Sequence, residues 1–113
     1  MTRRFSADLA VIPAEKLRDY LLSPTHPVGR FKAAFFGGLG YGAESWPRLA
    51  ADLRAQHLIL EATPIEASPF GQKYLIQGPL TGPAGRTAVL VSIWIILSGE
   101  DAPRLVTLFP RGP

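Results

Sequence analysis

Few side chains in this 113-residue sequence can move a proton or hold an anion. There are two histidines, His26 and His57, three lysines and nine arginines. An imidazole titrates near neutrality, which suits general acid or base work. His57 falls on the apolar stripe of a helical segment and reads as structural, so His26 is the candidate proton carrier. Lys73, Gln77, Ser92, Arg104 and Thr107 interrupt otherwise apolar strand-like stretches. Cations and hydroxyls of this kind hold phosphate oxygens, and Arg does so with a planar fork. The net charge of +3 and isoelectric point of 9.7 fit such a surface, and fit a compositional preference for Arg equally well. The chain has no cysteine, and no His/Asp/Glu cluster has the spacing of metal ligands. The expectation is therefore a chemistry that needs no metal and no cofactor.

The elements that must position these residues follow from the hydrophobic pattern. Pro13 to Leu22 predicts a first helix, with Ala14, Leu17 and Leu21 on one buried face. Val28 to Leu39 predicts a second, with a stripe of Val28, Phe31, Phe35 and Leu39 and with Arg30 and Lys32 beside it. Ser45 is placed as the cap of a third, whose stripe is Trp46, Leu49, Ala50, Leu53 and His57 and whose Arg48, Asp52 and Arg54 face water. Leu58 to Ile65 reads as a short edge strand because Pro64 cannot donate to a ladder. Gln72 to Leu80, Arg86 to Leu97 and Arg104 to Phe109 read as a meander of three strands. The expected fold is a single α+β domain over 1–113. Helices (about 13–57) precede a three- to four-stranded antiparallel sheet (about 58–110) and cover one of its faces.

The free face of that sheet is where chemistry is expected. Symmetric pairing about the loop at Thr81–Gly85 sets Tyr74 opposite Ile93 and Ile76 opposite Val91, which makes the covered face. Lys73, Gln77, Ser92 and Trp94 then share the free face. Thr107 joins them opposite Trp94 and Phe109 lies opposite Ser92, while Val106 and Leu108 face the helices. Arg104 starts the last strand at the rim.

The segments Tyr20-Leu21-Leu22, His26-Pro27-Val28-Gly29-Arg30-Phe31-Lys32-Ala33, Gly71-Gln72-Lys73-Tyr74, Val91-Ser92-Ile93-Trp94-Ile95 and Arg104-Leu105-Val106-Thr107-Leu108-Phe109-Pro110 carry a resemblance. The chain, from about Ile12 to Pro110, resembles a small bacterial family known as a domain of unknown function. That family in turn looks related to the barnase–EndoU–colicin–RelE group of RNases and toxins. In several members of that group the last strand ends in Tyr-Pro, whereas this chain has Phe109-Pro110. The resemblance implies RNA cleavage by attack of the 2′-hydroxyl on the adjacent phosphorus. It implies His26, Lys32, Lys73, Arg104 and Thr107 as catalytic candidates, and Arg30, Gln77, Ser92 and Trp94 as substrate-binding ones. RNA and a co-encoded antitoxin are the implied partners, in the bacterial cytoplasm.

Each of these residues has a plainer role. For His26 it is capping the second helix, for Lys32 that of a solvated helix residue, and for Arg104 a pair with Glu100 or Asp101. For Lys73 it is solubility alone, Ser92 and Thr107 fit strands without function, and Trp94 is more often packing than a stacking platform. Two other classes of function remain. One is a non-catalytic protein-binding module of the same fold, such as an immunity-type partner. The other is a homodimer with a small-molecule pocket between helices and sheet. The longest apolar run, Ala88 to Leu97, is too short to cross a bilayer, so a soluble protein with no membrane contact is expected. The meander supplies no strong base, so the RNase reading requires His26 to reach the free face from the helical half.

Overall fold

The structure is a computed structural model that describes residues 2–111. Its sheet has five antiparallel strands in sequence order: β1 (Arg3–Arg4), β2 (Glu61–Ser68), β3 (Gly71–Thr81), β4 (Thr87–Leu97) and β5 (Pro103–Pro110). This corrects the expected three or four strands and their purely C-terminal placement. The N-terminal arm supplies β1, whose Arg3 pairs with Ala62, and β2 runs on to Ser68, past the expected end at Ile65.

Three helical segments lie between β1 and β2. The first is α1 (Ala14–Lys16), which widens into a π-type turn over Leu17–Leu21 closed by Leu22 N–H donating to Leu17 C=O at 2.8 Å. The second is α2 (Arg30–Gly38), and the third is α3 (Trp46–Asp52), which ends in a π-type turn over Leu53–His57. A wide turn rotates the residues after it around the axis; the one over Leu53–His57 packs on β3, and the one over Leu17–Leu21 packs among the helices. Leu17 and Leu21, and Leu49, Leu53 and His57, are buried as their periodicity predicts. The second stripe differs. Phe36 and Leu39 enter the core, while Val28 and Phe31 stay exposed, at 60% and 69%. Asp52 and Arg54, expected in water, are also engaged. Asp52 accepts from Tyr41 Oη at 2.5 Å and from Arg48 Nε at 3.1 Å. Burial and this bond push the Tyr41 hydroxyl well above the ordinary phenol range. Arg54 donates to Ala7 and Ala10 C=O, tying down the N-terminal arm. The Ser45 hydroxyl accepts from Gly42 N–H instead of capping α3.

The register of the first hairpin is one residue away from the symmetric expectation. Tyr74 pairs with Trp94, Ile76 with Ser92 and Gln77 with Val91. The ladder closes at Thr81–Thr87, whose hydroxyls lie 2.6 Å apart, and Gly85 takes the positive φ (81°) that the turn requires. A one-residue slip exchanges the two faces of a strand. Leu90, Ser92 and Trp94 therefore all point into the core, and Trp94 is fully buried there. In the second hairpin Thr107 pairs with Ile93, Phe109 with Val91, and Leu105 with Trp94. A bulge at Val106 absorbs the extra residue, so Leu105 and Leu108 face the core in place of Val106 and Leu108.

The two polar residues admitted to this core satisfy one another. His57 Nε2 lies 3.0 Å from Gly78 C=O, and its Nδ1 lies 2.9 Å from Ser92 Oγ, which accepts from Trp94 Nε1–H at 2.8 Å. A carbonyl only accepts, so Nε2 carries the proton and Nδ1 accepts from the Ser92 hydroxyl. Burial lowers the His57 pKa below its ordinary 6.5, against an opposing pull from the Gly78 carbonyl. The native state thus holds the ring neutral, while the unfolded chain binds a proton below that pH. The contribution to stability is complete above pH 6.5 and declines as the pH falls toward the depressed folded value. Urea unfolding should show this acid slope, and His57→Gln should flatten it. Ser92→Ala, which strands the His57 Nδ1 acceptor and the Trp94 Nε1–H donor, should cost about 1–3 kcal/mol at neutral pH.

Candidate functional site

The sheet's uncovered face carries Lys73, Leu75 and Gln77 from β3, Val91, Ile93 and Ile95 from β4, and Arg104, Thr107 and Phe109 from β5. Of the residues expected there, Ser92 and Trp94 are not on it. Both are fully buried on the helix-covered side, so neither can touch a substrate in this structure. Large volume explains Trp94: burying an indole stabilises the core by roughly 2–3 kcal/mol.

The remaining candidates separate into three groups. Lys73 and Arg104 lie at one end of the face, on either side of Ile95. Each is held by a carboxylate, Lys73 by Glu66 at 3.3 Å and Arg104 by Glu100 at 3.2 Å. These are half-exposed pairs of the kind worth under about 1 kcal/mol. Gln77 is exposed in the middle of the face. Arg30 stands on the far side of α2, donating to Pro27 C=O at 2.8 Å with its guanidinium 4.6 Å from the Phe31 ring centroid. There it lines a groove of about 660 Å³ with Leu22, Pro24, Phe31 and Tyr41.

The third group does converge. Lys32 Nζ donates to Thr107 Oγ1 at 3.0 Å, joining residues 75 positions apart. The same ammonium lies 5.4 Å from the Tyr20 ring centroid and 5.8 Å from that of Phe109. Aromatic faces attract an ammonium, so both rings help fix the Lys32 head group in place. Beside it opens a cleft of about 540 Å³ lined by Pro13, Glu15, Lys16, Tyr20, Val106 and Thr107. Lys16 Nζ donates to Val106 C=O at 3.0 Å, so a second ammonium stands at the edge of β5. The sequence reading missed Lys16 and Tyr20. Their i, i+4 spacing, off the Leu17/Leu21 stripe, is the signal that one helical face carries both.

His26 reaches this group through Tyr20, whose ring meets the imidazole edge-on at 4.9 Å. Its Nδ1 accepts from the backbone N–H groups of Val28 and Gly29, at 3.0 and 2.9 Å. Both partners are donors, so Nδ1 has no proton and Nε2 carries it. In this state His26 can donate a hydrogen bond from Nε2, and it cannot act as a base without giving up the turn that starts α2. The turn is tight, since a Cβ on Gly29 would overlap the Tyr20 carbonyl. Replacing His26 by Ala should cost about 1 kcal/mol in urea unfolding, and Asn, which can accept the same N–H groups, should restore most of it.

The cleft's lining includes the Lys16 ammonium and the Thr107 hydroxyl. The Lys32 ammonium stands on that hydroxyl, and His26 lies behind the Tyr20 ring. Among the described residues no group of three or more His, Asp or Glu side chains could hold a metal ion, and no helix is long and apolar enough to cross a membrane.

Comparisons with known proteins agree on the architecture. A search of curated proteins finds no match to the sequence. Among solved structures, one chain of a contact-dependent growth inhibition toxin–immunity protein complex from Klebsiella pneumoniae 342 superposes with a TM-score of 0.65. The alignment covers 96% of this chain and 98% of that one at 16% identity, a likeness of fold. The family model of a domain of unknown function, DUF6883, matches residues 5–112, and the chain belongs to that family.

Proposed function

We propose that this domain is an RNase-like toxin that cleaves RNA without a metal, and that a co-encoded protein holds it in check. The observation that carries the reading is the Lys32–Thr107 contact at the mouth of a cleft flanked by Lys16, Tyr20 and His26. Attack of a 2′-hydroxyl on phosphorus forms the P–O2′ bond and breaks the P–O5′ bond. Water takes the hydroxyl proton and protonates the leaving 5′-oxygen, and the attack builds negative charge on the phosphoryl oxygens. Donors that are already in place stabilise that charge without reorganising. Lys32 and Lys16 neutralise it, Thr107 Oγ1 orients a phosphate oxygen, and His26 Nε2–H donates from the turn before α2. Arg104 and Lys73 attract the polyanion along the open face once their surface carboxylate pairs exchange for phosphate. Among the described residues none is poised as a strong base, so the rate gain is assigned to charge stabilisation and orientation. The fold shared with a chain of a toxin–immunity complex supports a protein partner.

The alternative is a binding module without catalysis. It is favoured by the exposed Val28 and Phe31 beside the 660 Å³ groove, an apolar strip suited to a protein surface.

Induced expression with RNA profiling tests the proposal. Wild type should arrest growth and leave RNA with 2′,3′-cyclic phosphate ends. Lys32→Ala should reduce cleavage about 10²–10³-fold, the usual loss for one such donor. Thr107→Ala should weaken cleavage and Thr107→Ser should keep it. Purified protein that leaves tRNA and mRNA intact sinks the enzyme reading in favour of the binding module.

A further inference from the structure

We infer that Tyr20 is the positioning residue of the Lys32–Thr107 site, and that it acts through its ring rather than its hydroxyl; the consequence for rate rests on the RNase reading above. Among the described residues Lys32 takes part in no ion pair. An ammonium on a flexible four-carbon stem, with no carboxylate to hold it, stays in one place only where weaker contacts converge. Lys32 has three: the Thr107 hydroxyl at 3.0 Å, and the rings of Tyr20 and Phe109 with centroids at 5.4 and 5.8 Å. Thr107 and Phe109 come from one strand. Tyr20 supplies the contact from the helical half.

The local fold fixes that ring. Tyr20 lies in the wide turn over Leu17–Leu21, between two leucines that are fully buried. Leu17 and Leu21 anchor the turn in the core and leave Tyr20 half-buried at the 540 Å³ cleft. Isolated wide turns of this kind are frequent at functional sites. The backbone of Tyr20 is held as firmly as its ring. Its carbonyl accepts from Ser23 N–H at 3.3 Å and lies so close to Gly29 that a Cβ there would overlap it. Gly29 N–H in turn donates to His26 Nδ1 at 2.9 Å, and the His26 ring stands at 90° to that of Tyr20. One residue therefore shapes the turn that carries His26 and also touches the Lys32 ammonium. Both ring contacts use the π system, which attracts a cation and favours perpendicular packing. Phenylalanine can make them. Leucine has similar bulk and can make neither.

The test has two arms. The chain has three lysines, so reductive methylation with isotopically labelled formaldehyde gives three lysine signals by NMR. Methylation keeps the charge, and a dimethylated ammonium retains one N–H for Thr107. Loss of one signal in Lys32→Arg assigns it. In wild type the Lys32 methyls should be shifted upfield by the rings and should show NOEs to the Tyr20 ring protons. Tyr20→Leu should move that signal toward the position of a free methylated lysine while Lys73 stays unmoved, and Tyr20→Phe should restore it. Absence of the NOEs in wild type overturns the proposal whether or not any variant folds. A Tyr20→Leu protein that keeps the shift, or a Tyr20→Phe protein that lacks it, overturns it too. The second arm is RNA cleavage. Tyr20→Leu should lower kcat about 10²-fold with KM little changed, the loss expected when a charge-stabilising group is misplaced by about 1 Å. Tyr20→Phe should recover most of that rate. A Tyr20→Leu enzyme with full kcat overturns the positioning role and leaves the RNase reading standing. If wild type cuts no RNA, the RNase reading fails and the methyl signals alone decide on Tyr20.

Discussion

The hydrogen-bonded chain from Gly78 through His57 and Ser92 to Trp94 is the constraint on which the rest of the structure depends. It links the end of α3 to β3 and β4 inside the core, with every polar atom satisfied. A buried polar group costs more when orphaned than it contributes when paired. Registers that leave Ser92 on the open face would orphan His57 and the Trp94 indole together. The network therefore selects the pairing of β3 with β4, and with it which side chains reach the uncovered face. Lys73, Gln77, Thr107 and Phe109 are available there because Ser92 and Trp94 are not.

Much of this was readable in advance. The helices announced themselves through Leu17/Leu21 and Leu49/Leu53/His57, because the 3.6-residue period is local information. The meander was equally plain from its alternating strands and glycine turns. Its register was not, because a five-residue loop can be centred on either side of Pro83–Ala84, and because the bulge at Val106 has no sequence signal of its own. The polar residues on strands read as solvent-facing from their type alone. Ser92 was the exception, and its partner His57 lies 35 positions away. Asp52 escaped for the same reason, since Tyr41 and Arg48 together make its burial tolerable.

The candidate site shows a similar divide. Lys32, Thr107 and His26 were each nameable, but their meeting depends on α2 overhanging the β5 side of the sheet. That placement follows from Phe36 and Leu39 turning into the core while Val28 and Phe31 turn out, a rotation of the apolar stripe that the sequence pattern did not resolve. The same rotation gives α2 two working faces, one toward the cleft and one toward the larger groove. Lys16 also blunts the edge of β5, where a bare strand would invite another chain to pair. Lys16 covers the Val106 carbonyl, and Val11 forms a short parallel bridge to Arg104.

That bridge has a consequence for how the molecule is made. Residues 3–11 clasp both margins of the sheet: Arg3 and Arg4 add to β2, and Val11 exchanges hydrogen bonds with Pro103 and Leu105 at the other side. Within the domain the arm precedes β5, its second docking partner, by most of the fold. The arm cannot settle until β5 is present to receive it. Until then Phe5 and Ala10 have no core to enter, and Lys16 has no strand edge to cover. The cleft at that edge thus exists only when the two ends of the domain have met.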